Sequence, residues 1–283
     1  ELIRGSKAGA DYLLSIKDET YHILENLDSY PVLIPTDNNM PNFYKLIDRA
    51  VQDKLTFIAD PILDPISYGF TKSIERYIYL REKYPDIHIM IGIGNITELT
   101  HADTSGINMI MLGIVEELKL NHILTTQVSR HCSTVIRETD LARRIIHAAS
   151  ENNLTPKHIN DGLLVNHGHK DYSFSSDELM EMQNNIKDKN YRIYVNDDGI
   201  HLFNKSVYKI FSDPFDFYNY IEVDNDSGHA FYLGVELARA QIAYQLKKEY
   251  QQDEELSWGC LVDKKVDNKL QTKELGPTFK KRK

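Results

Sequence analysis

The chain has 283 residues, of which 41% are apolar, enough to bury a full core in one large domain or two smaller ones. A formal net charge of -9 argues against generic nucleic-acid or anionic-membrane binding. Two cysteines, Cys132 and Cys260, cannot build a disulfide framework and lack metal-ligand spacing. From residue 11 to residue 150, short runs of branched apolar residues alternate with segments of helical period, the pattern of a βα repeat with parallel strands. The expected strands are "DYLLSI", "PVLIPT", "LTFIAD", "IHIMIG" and "HILTTQV". The expected helices are "NFYKLIDRAVQDK", "SIERYIYLREKYP" and "TSGINMIMLGIVEELKL", the last capped by Asp103 or Thr104.

Residues 151–172 read as a polar connection, although "GLLVNHG" within it has the look of a strand. An α+β domain is expected over residues 173–261. In it "YRIYVNDDGIHLFN" is a hairpin turning at Asp197-Asp198-Gly199. A helix from His229 to Tyr250 offers Phe231, Leu233, Val235, Leu237, Ala240 and Ile242 to a core. Residues 262–283 are too polar to pack well and read as a mobile tail. No apolar run reaches membrane-spanning length and no signal peptide is evident, so the expected location is the cytoplasm. The absence of an initiator Met, with a strand almost at once, suggests a sequence that has lost an N-terminal part.

Polar residues cluster where the expected strands end, which is where ligands sit in parallel α/β folds. Asp60 and Asp64 come from two Asp-Pro pairs in "FIADPILDPISYGF". Proline stops a central ladder, so a carboxylate is left at the rim, able to hold an amino-pyrimidine edge through paired hydrogen bonds. The plain alternative is a pair of turn-forming steps in a surface loop. Asp37, Asn38 and Asn39 hold the equivalent place one unit earlier, and Lys17, Asp18 and Glu19 one unit before that. In "IGIGNITEL", Gly92 and Gly94 permit close approach to the backbone, and Asn95 offers both a donor and an acceptor. A turn shaped only by packing is the competing reading, and the third glycine of a dinucleotide fingerprint is missing. Ser129, Arg130 and His131 leave the last strand and suit a phosphate or carboxylate. Arg143 and Arg144 read as a solvated helix face, His167 to Lys170 as a loop, and no metal site is assigned.

The blocks "ADPILDPISYGF", "LREKYPDIHIMIGIGNITEL" and "ILTTQVSRH" resemble the pterin-binding barrel shared by dihydropteroate synthases and methyltetrahydrofolate:corrinoid methyltransferases. The chain is most similar to archaeal dihydropteroate synthase-like proteins of tetrahydromethanopterin metabolism. Their C-terminal domain of unknown role is matched by "HAFYLGVELARAQIAYQLKKEYQQDEELSWG". The resemblance implies an α/β (β/α)8 TIM barrel, N-terminally incomplete with strands four to eight in residues 1–150, followed by the smaller α+β domain. It places Asp60 on the pterin's amino-pyrimidine edge and Asn95 near N5 of the reduced ring. Asp37, Asn38 and Asp64 complete the implied pterin site. Ser129, Arg130 and His131 fall near the pyrophosphate site of the synthases, but Arg130 and His131 are adjacent rather than separated by one residue.

The synthases' Ser-Arg-Lys is absent from "GIGNITEL", and their glycine-rich loop is only echoed in "DPISYGFTK". The implied function is therefore a pterin-binding, dihydropteroate synthase-like transferase acting on a reduced pterin, with or without phosphate, in cofactor biosynthesis or one-carbon metabolism. The alternatives are a non-catalytic pterin-binding or assembly subunit and a methyltransferase with a corrinoid protein as partner. An aldolase-type barrel using Lys17 is a more distant one. A reduced pterin is the expected ligand and no covalent cofactor is expected. A homodimer is entertained, and nucleic acid and membrane are not.

Overall fold

The computed structural model describes residues 1–223 and 226–263. The chain divides into two compact units, residues 1–163 and the residues from Leu164 onward. That division falls inside the expected 151–172 connection. The expected mobile tail lies, from residue 264 on, outside the described residues.

In the first unit a short helix α1 (Leu2–Lys7) precedes five parallel strands: β1 (Tyr12–Ile16), β2 (Tyr30–Leu33), β3 (Ile58–Ala59), β4 (His88–Gly92) and β5 (His122–Leu124). β2 ends one residue short of its apolar run and β3 at the end of its own, each two residues before a proline, Pro35 and Pro61, that cannot donate to a ladder. The intervening helices are α2 (Met40–Gln52), α3 (Phe70–Lys83), the single turn α4 (Gly94–Thr97), α5 (Thr104–Glu117) and α6 (Val135–Glu151). α2 starts because the Asn39 side chain accepts from the Asn42 amide, with Pro41 in the first turn. It buries Phe43, Leu46, Ile47 and Ala50, spaced for one face.

The strands lie in the sheet in chain order, so every crossover steps the same way and carries its helix to the same face. On that face Ile16, Leu33, Ala59, Ile89 and Ile91 share one core with Phe43, Ile47, Tyr77, Leu80 and Met111. On the other, Val32, Ile58 and Met90 form a small cluster with Ile34 against it. The sheet is strongly curled. Tyr12 of β1 lies edge-on to His122 of β5 with ring centroids 6.1 Å apart, although three strands separate them. His88 Nδ1 lies 3.2 Å from His122 Nε2 at this end of the sheet. Burial, then the facing His88, lowers the pKa of His122.

The curl corrects the expectation of a closed eight-stranded barrel. Closure requires each edge strand to pair with another, whereas among the described residues β1 pairs only with β2 and β5 only with β4. The first unit is an open, curled five-stranded parallel sheet.

The second unit contains α7 (Ser176–Asn184), β6 (Arg192–Asn196), β7 (Gly199–Phe203), β8 (Tyr208–Phe211) and α8 (Ser227–Leu246). β6 and β7 form the expected hairpin, pairing Asn196 with Gly199, and β8 adds a third antiparallel strand. Gly199 has φ of +145°, and a Cβ there would stand 3.0 Å from the Phe211 carbonyl, so the position demands glycine. The segment "GLLVNHG" is irregular and not a strand, and the core face of α8 differs from the expected one. Leu233, Glu236, Leu237, Ala240 and Ala243 are buried, while Phe231 is exposed. Glu236 is tolerated inside because Arg239, Tyr250 and the Asp253 amide all donate to its carboxylate.

Candidate functional site

The C-terminal ends of β2, β3 and β4 place Asp60 at the centre of a tightly held loop. Its amide donates to the Leu33 carbonyl at 2.9 Å, one last rung before Pro61 ends the ladder. Its carboxylate is buried, with Oδ1 accepting from the Ile62 amide at 2.8 Å and from the Tyr77 hydroxyl at 2.9 Å. Oδ2 accepts no hydrogen bond among the described residues. Burial raises the carboxyl's pKa against the opposing effect of these two donors. A carboxylate of raised pKa with one unengaged oxygen at a strand end has the character of a ligand-binding or proton-transferring group.

The loop that follows is knotted to α3. Arg76 donates to the carbonyls of Pro61 and Ile62 and to Asp64 Oδ2 at 3.1, 2.6 and 2.7 Å. Ile62 is thereby held at φ of +62°, a conformation that a β-branched residue rarely adopts. Asp64 thus serves Arg76 as a counter-ion. Asn95 Nδ2 donates to the Leu63 carbonyl at 2.8 Å, tying the same loop to the end of β4. Its Oδ1 accepts no hydrogen bond among the described residues. Asp60, Asp64 and Asn95 therefore belong to one constellation, in which Asp60 Oδ2, Asp64 Oδ1 and Asn95 Oδ1 accept no hydrogen bond among the described residues.

A cleft of 210 Å³ opens between the ends of β1 and β2, lined by Asp18, Glu19, Ile34, Thr36, Asp37, Asn39, Asn42 and Leu46. Asp37 lines it and Asn38 does not. Both have left-handed backbones, φ +47° and +55°, the conformation in which Asp and Asn are most tolerated. The Thr36 hydroxyl is buried with no hydrogen-bond partner among the described residues. The cleft is separate from the Asp60 loop but adjoins it, because Ile34 follows directly on the Leu33 that Asp60 bonds.

At the end of β5 the structure reports something the residue types did not signal. The Ser129 amide, the Val128 amide and the Thr126 hydroxyl all donate to the carboxylate of Glu98, at 2.9, 2.8 and 3.0 Å. The Ser129 side chain and these donors hold the Glu98 carboxyl down at about 2. The loop does bind an anion, but that anion is the chain's own. Gly94 allows the approach, since a Cβ there would meet Thr126 Oγ1 at 3.2 Å. His131 Nε2 lies 3.0 Å from the Thr97 carbonyl, and Arg130 is exposed. Cys132 is fully buried and its thiol is pushed up to about 11, first by burial and then by Glu98, which is no setting for a nucleophile.

Arg76 and Tyr77 are the site residues that the sequence reading missed, while Glu98 was expected at the rim after Gly94 but not as the partner of the Ser129 loop. Arg76 and Tyr77 lie inside a helix recognised only by its period, and nothing in a sequence says which helical residue reaches a strand end. Among the described residues no group of three or more His, Cys, Asp or Glu is arranged to hold a metal ion. No helix among them is long and apolar enough to cross a membrane.

No protein-family profile matches the chain. It is similar to an uncharacterized protein of Methanocaldococcus jannaschii, with 29% identity over 300 residues covering 90% of this chain. The chain spans 56% of that protein's length.

Proposed function

We propose that this chain binds a reduced pterin at the C-terminal end of its parallel sheet, with Asp60 as the residue that selects it. The observation that carries this reading is the buried Asp60 carboxylate, engaged through Oδ1 and left with Oδ2 for a ligand. A ligand for the Asp60 Oδ2 must bring hydrogen-bond donors, and so must a ligand for Asn95 Oδ1. The amino-pyrimidine edge of a pterin does so, and the resemblance of the Asp-Pro and Gly-Asn segments to pterin-binding proteins supports the same chemistry. The transferase activity that the resemblance implies belongs to this proposal.

A second reading, pterin binding without departure of a diphosphate, draws on Glu98. The amide and hydroxyl donors that a diphosphate would use are already spent on that carboxylate.

Fluorescence titration with reduced pterins, with and without a diphosphate, tests both readings. Asp60→Ala is expected to weaken binding by roughly 1–3 kcal/mol, the cost of an unmatched polar group in a buried site, and Asn95→Ala, at an exposed position, by about 0.5–1.5 kcal/mol, the net worth of one hydrogen bond. A diphosphate that tightens binding favours the transferase, and one that adds nothing favours binding alone. If no pterin binds, the proposal fails.

A further inference from the structure

We propose that His88 and His122 form a two-histidine site for a divalent transition-metal ion of the zinc, copper or nickel kind, at the end of the sheet opposite to Asp60. The pairing of Met90 with His122 puts these two residues side by side on adjacent strands. His88, two residues before Met90, therefore projects from the same face as His122. The facing nitrogens, His88 Nδ1 and His122 Nε2, are 3.2 Å apart. Two imidazole nitrogens bound to one tetrahedral zinc at about 2.0–2.1 Å stand about 3.3 Å from each other, so the separation already matches, and an ion would displace the proton through which the two rings now hydrogen-bond. Imidazole is the ligand that zinc, copper and nickel share.

The surroundings fit an open site. His88 is exposed and His122 half-buried, so water can complete the coordination sphere. Tyr12 packs edge-on against His122 and stacks on Tyr30 at 5.8 Å, which fixes the His122 ring from the side away from β4. Neither histidine has another side-chain hydrogen-bond partner among the described residues. An ion here would clip β4 to β5 at the starts of the strands, and would stabilise the folded chain by mass action alone.

The test uses the full chain freed of metal and titrated with Zn²⁺ and Ni²⁺ by calorimetry, and with Cu²⁺ by electron paramagnetic resonance. One equivalent is expected to bind, with a copper spectrum showing two coupled nitrogens. His88→Ala and His122→Ala should each weaken binding at least about tenfold. His101→Ala, which alters the other ring pair with His131, should leave it unchanged. His88→Gln or His122→Gln gives the same readout should either Ala variant fold poorly. Absence of stoichiometric binding, or affinity that survives all substitutions at 88 and 122, overturns the proposal.

Discussion

Replacing Arg76 by Ala removes the hub of the loop that presents Asp60. The guanidinium makes three hydrogen bonds there, and its ion pair with Asp64 is at 2.7 Å with side chains only 14% and 17% exposed. Breaking such a pair leaves a carboxylate largely cut off from water, which costs about 3–5 kcal/mol when burial is complete, and residual exposure favours the lower end. Release of the strained Ile62 backbone returns part of this, of order 1 kcal/mol. The net expectation is a loss of about 2–3 kcal/mol, or a fall of roughly 4–12 °C in Tm for a unit of this size. Urea unfolding should be followed by far-UV circular dichroism, because the single tryptophan, Trp258, belongs to the second unit. Asp64→Ala and the double variant complete a cycle, in which the two changes should be non-additive by more than about 0.5 kcal/mol. A loss below about 1 kcal/mol, or simple additivity, would refute the argument that this pair holds the loop.

Asp60→Asn keeps the acceptor for Tyr77 and Ile62 but removes the buried charge. The wild-type carboxyl has a raised pKa, so its folded state is favoured in the protonated form and loses that advantage as pH rises through the folded value. The Asn variant should therefore be the more stable at neutral pH, with the gap closing below about pH 4, and melting curves across that range check the sign. Glu98 behaves oppositely. Its pKa is lowered to about 2, so the stability it contributes is present above the ordinary glutamate range and is lost as pH falls toward that value. Carbon-13 carboxyl NMR should find it still ionised at pH 3. Cys132, buried with a thiol near 11, should stay inert to a thiol reagent in the folded chain and react on unfolding. Gly199→Ala should destabilise the β6–β7 hairpin, seen as lost amide protection across Arg192 to Phe203.

The alternation of apolar runs and helical segments sufficed for the five strands, their parallel sense and the helices between them, because β2, β3 and β4 are mostly buried and read as continuous apolar runs, and the edge strands β1 and β5 keep branched apolar residues although Tyr12, Leu14 and Leu124 are exposed. Whether the sheet closes depends on strand pairing at its edges, which has no local signature, and the barrel expectation failed there. On α8, Phe231 and Glu236 exchange the places that hydropathy assigns them, since two of the three partners of the buried glutamate, Tyr250 and Asp253, lie outside the helix. At the candidate site the Asp-Pro steps marked Asp60 and Asp64 as rim residues. The division between them, one left open and one paired with Arg76, arises from a helix that the Asp-Pro signal does not reach. The Ser129 loop holds Glu98 through the Val128 and Ser129 amides and the Thr126 hydroxyl, contacts that the Ser-Arg-His residue types do not encode.

A carbon-13 carboxyl titration of Asp60 by NMR, in the absence and presence of a tetrahydropterin, tests the proposed pterin contact at Oδ2 most directly. The expected result is a raised pKa in the free chain that falls when the ligand binds, because new hydrogen bonds favour the carboxylate. A tetrahydropterin that leaves the Asp60 resonance and its titration untouched would contradict it.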